Sequence, residues 1–222
     1  MRVKIVAAGL LLSACAGGPM PPEWQSQSHA SLERFRQQYL EGSSQLAERS
    51  FAEAKAAVAS TGKPELAARV ELVRCALGTA ALDIDACTQF ESMRGDATAE
   101  DQAYGDFVGG HLREQDASRL PAQYRGVAMA RDEAVRNKGM QQIEDPVSRL
   151  VAAGALFRLA QLSPEGLTAA IDTASAQGYR RPLLAYLKVQ ARRAESAGDG
   201  AALQSIQKRI DLVYQFLPKM KQ

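Results

Sequence analysis

Between Leu203 and Leu217 apolar side chains return at steps of three and four, as Leu203, Ile206, Ile210, Val213 and Leu217, while Lys208, Arg209 and Asp211 fall off that stripe. A period of this kind buries one side of an α-helix and cannot be laid on one face of a strand. Earlier segments repeat it between recognisable stops. Ser163 and Pro164 open a helix with Leu167, Ala170, Ile171 and Ala174 inward, and Gly178 closes it. Pro182 is expected to open the next, carrying Leu183, Leu187, Ala191 and Ala194 to a stop at Gly198, with Asp199 placed to cap the last helix. Asp145 and Pro146 start a helix with two apolar faces, Leu150, Ala153, Gly154, Phe157 and Ala160 on one and Val151, Ala155 and Leu159 on the other. Residues 64–83 behave likewise, with Leu66, Val70, Val73, Leu77 and Ala80 opposite Leu72, Cys75 and Leu82. Aromatic residues make up only 6% of the chain, and no segment sustains the alternation of a strand. The fold class is therefore all-α.

Short Gly or Pro turns, small Ala and Gly contacts and two-sided burial imply an array or bundle of antiparallel helix pairs. The segment from Pro164 through the turn GDGA to Val213, about a quarter of the chain, resembles a tetratricopeptide-type helical repeat. The repeat's tryptophan and its early Leu-Gly and Tyr positions have no counterpart, and no second copy lies at a fixed period. An irregular helical-repeat solenoid is thus one version of the expected architecture.

At the other end Arg2 and Lys4 precede an apolar stretch from Ile5 to Leu12, too short to span a bilayer, followed by Ser13 and Ala14. Leu12, Ser13, Ala14 and Cys15 resemble the lipobox of bacterial lipoproteins. That resemblance implies a signal peptide over residues 1–14, acylation of Cys15, and anchoring on the periplasmic side of the outer membrane, because Ala16 rather than aspartate follows the cysteine. Residues 15–28, rich in Gly, Pro, Ser and Gln, read as a lipidated N-terminus and flexible tether. Within them Trp24 either rests at the membrane interface or caps the first helix pair. Residues 29–222 remain as a single α-helical periplasmic domain, long enough for one good core.

With Cys15 consumed by lipid, Cys75 and Cys87 form an even pair in an oxidising compartment, and a disulfide is expected between them. The stretch between them reads as the last turns of a helix and a reversal at residues 83–85. Charge is nearly balanced, 27 Lys and Arg against 25 Asp and Glu, which with the compartment disfavours nucleic acid. The balance is uneven along the chain, however. From Ala176 onward nine cations face three acids. Arg180, Arg181, Lys188, Arg192 and Arg193 form the candidate partner-binding basic surface, for an acidic protein, phospholipid head groups or a glycan polymer.

Nothing in the chain assembles a catalytic constellation. His29 falls at the tether boundary. His111 lies near Glu114 and Asp116, but two ligands do not make a metal site, and a surface polar turn is the simpler reading. Adjacent Glu144 and Asp145 point apart, with Asp145 better placed as an N-cap than as half of a carboxylate dyad. Gly105 and Gly109 read as positions of close helix approach. No cofactor is expected. The expected function is a lipid-anchored periplasmic scaffold or adaptor that binds an envelope protein without catalysis. The alternative is a small-molecule or cell-wall-glycan binding lipoprotein or, as a lesser option, an envelope enzyme.

Overall fold

The computed structural model describes residues 20–111 and 113–216. Helices α1 (Glu23–Glu41), α2 (Ser44–Ala59) and α3 (Pro64–Ala80) come first. Short elements follow: α4 (Thr88–Ser92), α5 (Ala99–Val108), α6 (Ala122–Met129) and α7 (Glu133–Gln141). The longer helices α8 (Pro146–Arg158), α9 (Pro164–Ala176), α10 (Arg180–Ser196) and α11 (Gly200–Gln215) complete the array, and no strand occurs among the described residues. The protein is all-α.

The expected punctuation is in place. Asp145, Ser163 and Asp199 each accept a hydrogen bond from the backbone N–H three residues on, satisfying donors that a helix start leaves unpaired. Gly178 and Gly198 take left-handed backbone (φ 67° and 69°) after α9 and α10. Two boundaries differ from expectation. Helix α10 begins at Arg180, two residues before Pro182, because a proline in a helix's first turn gives up an N–H that has no intrahelical partner there. Helix α1 begins at Glu23, so residues 23–28, expected to belong to a flexible tether, are helical, and Ser28 is buried. Trp24 lies in that helix, half-buried against the core. Cys15 and the signal segment 1–14 lie outside the described residues.

The middle of the molecule is the crossing of α3 with α8. Every residue of α8 from Leu150 to Leu156 is buried, as its two apolar faces require. Gly154 sits so close to α3 that a Cβ there would lie 2.0 Å from the Thr79 carbonyl oxygen. Gly105 similarly lies against the Phe90 ring, which places it in a close packing contact. Around this centre α1 packs on α2, and α10 lies between α9 and α11. Helix α1 also packs on α10, which joins the early helices to the late ones. An open solenoid touches only sequence neighbours; this array closes on itself, so the solenoid version is not the one adopted. Among the described residues no helix is long and apolar enough to cross a membrane.

Candidate functional site: a groove along helix α10

Where α10 passes the turn after α3, an open groove of about 610 Å³ runs along its exposed side. Leu184, Ala185 and Val189 of α10 form one wall, and Leu82, Ile84 and Phe157 the apolar part of the other. Three cations, Arg181, Lys188 and Arg192, line it and, among the described residues, no carboxylate does. These three and the apolar residues between them share one face of α10, at the spacing of successive helical turns.

The turn that carries Leu82 and Ile84 is held from several sides. Leu82 adopts φ 57° in the left-handed region, where glycine is usual, as the chain leaves α3. A disulfide joins Cys75 in α3 to Cys87 beyond the turn, as the pairing of these cysteines led one to expect, with the Cα atoms 4.2 Å apart. Arg158, at the end of α8, donates to the Asp83 carbonyl at 3.1 Å and to the Ile84 carbonyl at 3.4 Å. Burial lowers the pKa of its guanidinium from the usual arginine value. The Tyr39 hydroxyl of α1 donates to the Asp83 carboxylate at 3.3 Å. Burial first, and the Asp83 charge second, push that phenol up to about 12. Ile84 nevertheless stands 67% exposed at the groove's edge.

The expected basic surface divides in two. Arg181 donates to the Tyr39 carbonyl at 2.8 Å and to Ser44 Oγ at 2.6 Å, with its guanidinium 4.2 Å from the Tyr39 ring centre. Arg180 donates to the Glu41 and Phe216 carbonyls at 3.0 and 2.9 Å. Arg193 donates to the Leu162 carbonyl at 2.8 Å. These three arginines, expected to belong to a partner-binding basic surface, fasten one element of the fold to another. Lys188 and Arg192 are exposed, and neither pairs with a carboxylate among the described residues. The Lys188 ammonium lies 5.4 Å from the Tyr214 ring centre.

Other residues singled out by sequence do not converge. His29 is exposed on α1, and His111 is exposed in the stretch after α5. Glu114 faces Arg131 at 3.7 Å, and Asp116 binds Arg119 at 3.0 Å. Among the described residues no group of three His, Cys, Asp or Glu is arranged to hold a metal ion. Sequence reasoning found the cations but missed the apolar wall, since Leu82, Phe157 and Leu184 are far apart in the chain. The one signal available was a leucine at the stop position of α3, where a chain reversal would normally recruit glycine or asparagine. No family model matches the chain, and it matches neither a curated protein nor a solved structure.

Proposed function

We propose that this chain is a helical adaptor, anchored through acylated Cys15 to the periplasmic face of the outer membrane, that holds an envelope protein in the groove along α10. The observation that supports this reading most is the groove itself. It is open and elongated, apolar along both walls and cationic at its rim, and its far wall is fixed by a disulfide, Tyr39 and Arg158. Such a site binds by surface complementarity, with little reorganisation to oppose binding. A disulfide as the fastening suits an oxidising compartment.

The test is residue-specific crosslinking in native membranes. A photoreactive side chain at Ile84 should capture one envelope protein, and the same probe at exposed Val135 in α7, away from the groove, should not. Equal capture at both positions would remove the adaptor reading. In parallel, Cys15→Ser should abolish labelling by palmitate analogues; a variant that still takes up lipid would remove the anchor.

A further inference from the structure

We infer that the groove along α10 takes an acidic amphipathic helix of its partner, a conclusion that rests on the adaptor reading and specifies the chemistry of what is bound. The groove's lining runs along α10 from Arg181 to Arg192, eleven residue steps and so roughly 16 Å at about 1.5 Å per residue. That length matches about three turns of a partner helix. Both walls are helix faces and one turn whose backbone is already clamped, and among the described residues no strand edge is present to pair an extended peptide's N–H and C=O groups. A partner that entered as an extended strand would bury unpaired backbone, whereas a helix satisfies its own.

Charge fixes the sign. Among the described residues Arg181, Lys188 and Arg192 line the groove and no carboxylate does. Of the two carboxylates on the turn, Asp83 accepts the Tyr39 hydroxyl and Asp85 is exposed to solvent, and neither side chain is part of the lining. Arg181 is committed to Tyr39 and Ser44, which leaves Lys188 and Arg192 for the ligand. These two are four residues apart and project one turn from each other on the same face. Two carboxylates spaced one turn apart on a partner helix meet them both. The apolar face of that helix rests on Leu82, Ile84, Phe157, Leu184 and Val189. A lipid or detergent with a single charged head would engage only one end of such a site and leave its chain half wet in an open groove.

The experiment uses the mature chain from residue 15 carrying Cys15→Ser, which needs no detergent. It is titrated against two labelled peptides of about 18 residues, five turns each, with identical leucines on one face and either glutamates or lysines flanking it. The acidic peptide should bind saturably and the basic one at least about tenfold more weakly, as two exposed ion pairs gained or lost imply. Lys188→Glu with Arg192→Glu should invert that order, with the fold confirmed by circular dichroism; Lys188→Gln with Arg192→Gln should merely level it. Rising salt should weaken the acidic peptide. Equal binding of both peptides, no saturable binding of the acidic one, or a preference that survives the double reversal would overturn the inference. Binding to phosphatidylglycerol vesicles that the reversal abolishes, with neither peptide bound, would overturn it in favour of a lipid surface. Capture from Ile84 of a partner segment without paired acids would end this inference and leave the adaptor reading standing. Peptide binding without any Ile84-specific capture would do the reverse.

Discussion

The two ends of α10 carry the same kind of side chain and use it in opposite ways. At its first turn Arg180 and Arg181 reach the carbonyls of Glu41 and Tyr39 in the last turn of α1, and Arg180 also reaches that of Phe216 after α11. Helix ends leave their last carbonyls without intrahelical partners and carry partial negative charge, and α1 has no basic residue of its own in its last turn. The two arginines supply what α1 lacks, from a helix about 140 residues away. Two turns further along α10, Lys188 and Arg192 are exposed at the edge of an apolar groove, and neither pairs with a carboxylate among the described residues. The difference lies in what stands opposite each cation. One pair closes the array by joining α10 to α1, and the other is the pair that the proposed groove ligand would meet.

The sharpest way to break this comparison is to reverse a charge at the closing end. Arg181→Glu would place a carboxylate against the Tyr39 carbonyl and remove two charge-assisted hydrogen bonds and a cation–π contact. A loss of about 4 kcal/mol is expected, at about 1.5–3 kcal/mol for each hydrogen bond from a charged donor, measured by urea unfolding. A loss below about 0.5 kcal/mol would mean that Arg181 is as free as Lys188.

Next in size is the staple under the groove wall. Cys75→Ala should cost roughly 3 kcal/mol, the chain-entropy value for a loop of this length. Because the bridge holds the turn of Leu82 and Ile84, the same variant should also weaken whatever binds in the groove. Full groove binding after removal of the bridge would assign the turn's rigidity to Arg158 and Tyr39 alone.

A smaller effect is expected at Tyr39, which touches both Arg181 and Asp83 and so links the closing end to the groove wall. Its phenol ionises near 10 in an unfolded chain and about 12 in the fold, chiefly because burial disfavours the anion. The folded state therefore holds that proton more tightly. The stability this provides is fully present below about pH 10 and is lost as pH rises through about 12. Burial likewise raises Tyr104, Tyr124 and Tyr186, which steepens the same alkaline decline. Tyr39→Phe should cost about 1 kcal/mol at neutral pH through the lost hydrogen bond to Asp83, and should flatten part of the decline above pH 10. An unchanged alkaline slope would show that Tyr39 is not part of the linkage.

How much of this was legible in the sequence follows from how local each feature is. Caps at Asp145, Ser163 and Asp199 act over three residues, so sequence spacing alone located them. The pairing of Cys75 with Cys87 followed from parity and compartment, but its role in fixing a groove wall did not, because that wall also needs Phe157 and α10. Ser28 was read as tether on composition, yet a small hydroxyl can be buried wherever a helix packs closely. Counting cations from Ala176 onward picked out α10, three of whose cations line the groove. It could not separate Arg180 from Lys188, since the carbonyls that engage the first lie in α1 and beyond α11.

The smallest expected effect on stability is also the one that most sharpens the comparison. Lys188→Glu with Arg192→Glu should change the unfolding free energy by under about 0.5 kcal/mol, because both side chains are exposed and neither caps a helix nor pairs with a carboxylate among the described residues. Lys188 gives up only its approach to the Tyr214 ring, an exposed contact. The same two charges on α10, reversed at its first turn as Arg180→Glu with Arg181→Glu, should destabilise the array by several kcal/mol. A matched pair of urea titrations decides it. If both double reversals cost the same, α10 has one kind of basic surface rather than two, and the division between closing and binding ends fails.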